Sequence, residues 1–142
     1  MGAVPVILVG HGGYADGVRD AAEMILGEQQ RMATVSLAPD DMPERVTARV
    51  REAVAAIPGG SGAGALVLAD LFGGSPANAA AVAAADDPGL EVVAGLSLPM
   101  LLEVLTSTEE TAAALAALAM ESGRAGVRDV MARLRGRDGP RR

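Results

Sequence analysis

The chain alternates short, unbroken apolar runs with longer stretches in which apolar residues return every three or four positions. Val4–Val9 ("VPVILV") is apolar throughout with one proline near its start, the pattern of a parallel strand buried on both faces. From Asp16 the period changes: Val18, Ala22, Ile25 and Leu26 recur at helical spacing, and Gly27 is a natural stop. "ATVSLAP" (Ala33–Pro39) predicts a second strand. Pro43–Ile57 predicts a helix with Val46, Val50 and Val54 on one face and charges on the other. Pro58–Gly64 ("PGGSGAG") reads as a loop and Ala65–Asp70 ("ALVLAD") as a third buried strand. Ser75–Ala85 ("SPANAAAVAAA") predicts a helix with Ser75 at the N-cap and Pro76 at the first helical position. Its alanines permit close packing of helix on sheet. Leu90–Ser97 is a fourth strand, Pro99 opens a short helix through "MLLEVL", and a longer helical pattern starts near Glu109. The segment "GRAGVRDVMARLRG" fits two readings. Val127, Val130, Met131 and Leu134 suit a helix, while "GVRDV" (126–130) also reads as a short edge strand.

Strands alternating with helices imply an α/β domain with an open, mostly parallel sheet and right-handed crossovers. At 142 residues the chain is read as one domain over 1–135, with 136–142 as a flexible basic tail. Half of the residues are hydrophobic but only Tyr14 and Phe72 are aromatic, so alanine, valine and leucine must build the core.

Composition then removes whole classes of chemistry. There is no cysteine, which excludes disulfides, thiolate nucleophiles and sulfur-based metal sites. There is no lysine, since all 12 basic residues are arginine; this removes the phosphate-binding loop of ATPases and GTPases and any Schiff-base chemistry. One histidine cannot build a multi-histidine zinc site. A net charge of −6, and a basic tail without aromatic residues, argue against nucleic acid as a partner. No apolar run reaches the roughly 18 residues of a membrane span, and no secretory leader pattern opens the chain, so a cytoplasmic protein without membrane insertion is expected.

The one histidine, His11, stands among four glycines in "VILVGHGGYADG" (6–17). A core histidine would be expected among bulky apolar neighbours; one flanked by glycines meets something arriving from outside. His11 follows the first strand and Asp70 the third. Open α/β sheets bind ligands at that edge, where the strand order reverses, and both residues flank that crevice if strand two lies on the far side of strand one from strand three. Neutral imidazole, with an ordinary pKa of about 6.5, keeps a nucleophilic lone pair at cellular pH and can accept a phosphoryl group directly. A carboxylate bonded to one ring nitrogen fixes the tautomer and presents the other nitrogen for attack, and Asp70 is the candidate. Backbone N–H groups of Gly73, Gly74 and Ser75, with the positive end of the following helix, could then hold the anionic group.

Other readings fit the same residues. A lone histidine in a turn is often structural, and "DLFGGSP" could be a loop whose glycines permit tight geometry. "GHGGYA" (Gly10–Ala15) also matches the glycine fingerprint of dinucleotide binding. Its ribose-binding acid is missing, however, because Asp40 and Asp41 lie past a proline and too far along the chain. The pattern alone stops short of a function.

The chain nevertheless resembles the enzyme IIA domain of the mannose class of the bacterial phosphoenolpyruvate-dependent sugar phosphotransferase system. The likeness is carried by "HGGYADGVRDAAEMILGEQ" from His11, "VLADLFGGSPANAA" from Val67, "EVVAGLSLPMLLEVL" from Glu91 and "ESGRAGVRDV" from Glu121. The resemblance implies a sheet of four parallel strands with an antiparallel edge strand exchanged in a homodimer near "GVRDV"; the common doubly wound topology gives the order 2-1-3-4, with helices flanking the sheet. It implies that His11 takes a phosphoryl group from the phosphocarrier HPr and passes it to a IIB partner, that Asp70 orients His11, and that Ser75 lies at the phosphate site. It implies no metal and no organic cofactor. Gly13 and Phe72 depart from the family, where a bulkier residue and a tryptophan are more usual. The chain carries no IIB segment, so a separate IIB protein is the expected acceptor. A regulatory phosphoprotein with the same histidine chemistry, or a nucleotide-binding module built on Gly10–Ala15, are the alternatives. A subunit phosphorylating dihydroxyacetone through a partner kinase ranks lower.

Overall fold

A computed structural model describes residues 4–57 and 64–137. Four parallel strands, β1 (Val6–His11), β2 (Met32–Leu37), β3 (Ala65–Ala69) and β4 (Leu90–Ala94), form a sheet in the order β2-β1-β3-β4. The helices are α1 (Tyr14–Leu26), α2 (Pro43–Ala56), α3 (Ser75–Ala85), α4 (Leu98–Thr106), α5 (Ala112–Ala125) and α6 (Val130–Leu134). The fold class and strand order therefore agree with expectation.

The unbroken apolar runs arise because both faces of the central strands are covered. In β1, Val6 and Leu8 face one layer while Ile7 and Val9 face the other. The first layer is built by α1, α4 and α5 through Ala15, Ala22, Leu101, Val104 and Leu115. The second is built by α2 and α3, through Val46, Val50 and Val54 and the alanines Ala79, Ala80 and Ala83. Burying each leucine or valine contributes about 1.5–3 kcal/mol, so this interior, not the exposed edge, holds the fold. One buried polar tie joins α2 to α3, where the Thr47 hydroxyl donates to the Ala79 carbonyl at 2.8 Å.

The strand order reverses between β1 and β3. β1 connects outward to β2 through α1 on one face; β2 returns past β1 to β3 through α2 on the other. The chain thus leaves the carboxyl ends of β1 and β3 toward opposite faces of the sheet, which opens the crevice expected of this topology.

Several boundaries differ from the sequence pattern. β1 runs on to His11, because His11 still pairs with Leu37 of β2 and the next N–H, of Gly12, continues to the Leu37 carbonyl at 2.9 Å. His11 is therefore the last residue of a strand rather than a member of a loose turn. α1 accordingly begins at Tyr14 rather than Asp16. β4 stops at Ala94 instead of Ser97: the N–H groups of Gly95 and Leu96 both turn in to the Ala69 carbonyl at 2.9 Å, leaving the ladder. Ser75 is the first helical residue of α3, with Gly74 at the N-cap, so the expected serine cap is absent. α5 begins at Ala112, capped by the Thr111 hydroxyl accepting from Ala114 N–H. "GVRDV" forms no strand here. Asp129 instead caps the short α6, accepting from the N–H groups of Met131 and Ala132. The loop read at 58–64 lies, save Gly64, outside the described residues, as do positions 138–142 of the tail; Arg137 pairs with Asp129 at 3.5 Å.

Candidate functional site

His11 and Asp70 meet at the reversal point. His11 ends β1, and Asp70 is the residue after β3, with its own N–H held by the Val9 carbonyl at 3.1 Å. Asp70 Oδ2 accepts twice from His11, from the backbone N–H at 2.9 Å and from ring Nδ1 at 2.8 Å. An ionised carboxylate can only accept, so Nδ1 carries the proton of this bond and Nε2 carries the lone pair. The two ends differ in exposure: the His11 side chain is 48% exposed and that of Asp70 only 9%. The arrangement is a buried anion gripping the inner nitrogen of a ring that otherwise faces outward.

Two glycines line this pair, and at one of them there is no room for a side chain. A Cβ on Gly10 would stand 3.4 Å from Asp70 Cγ and Oδ2, already in contact with the carboxylate. A Cβ on Gly74 would stand 3.0 Å from His11 Cε1 and 3.3 Å from the Leu71 carbonyl, tighter than ordinary packing allows. Gly74 is therefore the wall of the ring's pocket. Gly73 adopts a φ of +80°, which glycine supplies without strain. The Gly74 N–H is already spent on the Leu71 carbonyl at 3.2 Å. The Gly73 and Ser75 N–H groups have no backbone acceptor among the described residues and can serve an incoming anion at the start of α3.

Asp70 Oδ1 is buried with no hydrogen-bond partner among the described residues. A carboxylate placed this way can stabilise a positive charge on the ring.

Sequence spacing brought His11, Asp70 and the Gly73–Ser75 loop forward, and the fold gathers these segments at one edge. It adds Gly10, which clears space for the carboxylate, and Tyr14, whose hydroxyl donates to the Leu96 carbonyl at 2.5 Å. Neither had a local signal: the partners of each are more than 50 residues away in sequence. At the neighbouring loop after β2, the Asp41 carboxyl is held below the usual carboxylate range. The Ala38 N–H is the main cause, and the charges of Arg49 and Arg45 add to it. Asp41 thus stays ionised at neutral pH and braces the loop that follows Leu37, the residue whose carbonyl receives Gly12 N–H.

A family model described as EIIA-man, PTS system fructose IIA component, matches residues 5–120. The chain belongs to this family. Among its relatives, a mannose-specific EIIAB component of the phosphotransferase system (PTS) from Escherichia coli K12 is 33% identical over 132 residues. That match takes in 92% of this chain but only 40% of the relative's length. A sorbose-specific EIIA component from Lacticaseibacillus casei is 39% identical over 99 residues, 70% of each chain. The mannose/sorbose-specific IIA subunit from Enterococcus faecalis has the same fold, with a TM-score of 0.80 and 33% identity over 97% of both chains. This chain is a IIA component of the mannose, fructose and sorbose type. None of its described helices is long and apolar enough to cross a membrane.

Proposed function

We propose that this chain is a cytoplasmic phosphocarrier of sugar uptake, in which His11 accepts a phosphoryl group from HPr and hands it to a IIB component. The observation that carries the proposal is the 2.8 Å bond from His11 Nδ1 to the buried Asp70, which leaves Nε2 as an exposed nucleophile. The Nε2 lone pair attacks phosphorus on the donor. The bond from phosphorus to the donor atom breaks, and that atom keeps the bonding pair. Because Nδ1 keeps its proton, directed at Asp70, no proton has to leave the ring. The transfer reverses when a nucleophile of the IIB component attacks the same phosphorus and Nε2 recovers its pair. The phosphoryl oxygens are held by the N–H groups of Gly73 and Ser75, with the Ser75 side chain beside them, and by the positive end of α3. Hydrogen bonds of this kind bind the group without a fixed cation that would slow its departure.

A homodimer suits the same reading. β4 forms one edge of the sheet, and Val127, Val130 and Leu134 beyond α5 are strongly exposed. An open sheet edge beside apolar side chains is the kind of surface a second copy would cover.

The test is incubation with phosphoenolpyruvate, enzyme I and HPr, followed by intact-mass measurement. One acid-labile, base-stable phosphoryl group is expected on the wild-type chain. None is expected on His11→Ala, which should keep its fold because an exposed side chain at a glycine-flanked position contributes little packing. Persistent labelling of His11→Ala would overturn the assignment.

A further inference from the structure

The turn that leaves His11 is weakly restrained by its own sequence. Gly12 and Gly13 have no side chains, and a Cβ added to either would meet nothing within 4 Å. Backbone bonds run from Gly12 N–H to the Leu37 carbonyl and from Gly17 N–H to the Gly13 carbonyl, both at 2.9 Å, and the Thr34 hydroxyl of β2 donates to Asp16 in the first turn of α1 at 2.6 Å. Tyr14, the first residue of α1, supplies a long-range tether. Its hydroxyl donates to the carbonyl of Leu96, 82 residues away in the loop between β4 and α4.

That loop is itself fastened to the other half of the site. Leu96 N–H donates to the carbonyl of Ala69, the residue immediately before Asp70. A path therefore runs from the end of α1 nearest His11, through the Tyr14 hydroxyl and the carbonyl and N–H of Leu96, to the strand end that carries Asp70. The two strand ends are thereby linked by a second route besides their direct contact.

We infer that Tyr14 is a positioning residue for phosphoryl transfer: its hydroxyl fixes the His11 turn against the β4–α4 loop and so keeps Nδ1 on Asp70. The inference rests on the proposed role of His11 but concerns a side chain that touches neither the ring nor the carboxylate in the bonds described. Tyr14→Phe keeps the ring packing and removes only the tether. One such hydrogen bond lost should lower the transfer rate at saturating donor by about three- to tenfold, with the half-saturating donor concentration unchanged.

Two measurements on the full chain decide it. The first is the rate of transfer from phosphorylated HPr to wild type and Tyr14→Phe at saturating donor. The second is the solvent exchange of the His11 Nδ1 proton, followed by nitrogen-15 NMR without any phosphoryl donor. A slower rate together with faster exchange of that proton is expected. A loss of melting temperature with exchange unchanged would make Tyr14 merely structural and overturn the inference, as would an unchanged rate. If wild type takes up no phosphoryl group, the phosphocarrier reading fails by itself, and the proton exchange still decides whether Tyr14 holds the pair.

Discussion

The turn after β1 and the loop after β3 each bring a pair of glycines near His11, but added side chains would meet different surroundings at Gly74 than at the other three, Gly73 included. At Gly12 and Gly13 they would enter open space; Gly12 needs its φ of +51°, while Gly13, at −88°, has a conformation any residue adopts. At Gly74 the backbone is equally ordinary, with φ at −77°, yet the added carbon would press on His11 Cε1 at 3.0 Å. Adjacency in sequence and control of the ring are thus separated. Gly13, in the turn joined covalently to His11, does not approach the ring, and the distant loop supplies both the ring's anchor, Asp70, and its wall, Gly74.

If that division holds, changes in the β3 loop should weigh far more than changes in the β1 turn. The largest effect belongs to Asp70→Asn, which keeps the size but removes the charge and can offer a donor to Nδ1, favouring the wrong tautomer. Transfer from HPr should slow by about 10²- to 10⁴-fold, the range for a misplaced orienting group, with little change in melting temperature. Next comes Gly74→Ala. Displacing the ring by a fraction of an ångström should slow transfer about ten- to a hundredfold, and the crowding should cost about 1–3 kcal/mol in thermal or denaturant unfolding. Gly13→Ala should be nearly silent, changing stability by less than about 0.5 kcal/mol as at other surface positions, with transfer close to wild type. Equal losses in Gly74→Ala and Gly13→Ala, by the same transfer assay, would break the comparison.

The core was legible because its signal is periodic. Buried strands such as Val6–Val9 and Leu66–Leu68 read as unbroken apolar runs, and α2 displayed its valines at helical spacing. The His11–Asp70 pairing was legible because both residues stand at strand ends and the topology that joins such ends is widely shared. What stayed hidden depends on distances between segments remote in sequence. Gly10 and Gly74 look like any turn glycines until the carboxylate and the ring are set against them. Tyr14 looks like an exposed aromatic until Leu96 is brought beside it. The "GVRDV" segment was ambiguous for a different reason: its few apolar residues fit either period, and local capping by Asp129 favours the helix in a single chain.

If Asp70 occupies Nδ1, Nε2 is left to react, and nitrogen-15 NMR of the phosphorylated chain, labelled at its one histidine, reads which nitrogen holds phosphorus. The phosphoryl group should be bonded to Nε2, with Nδ1 still carrying a proton directed at Asp70. A phosphoryl group on Nδ1, the nitrogen that Asp70 holds at 2.8 Å, would contradict the account.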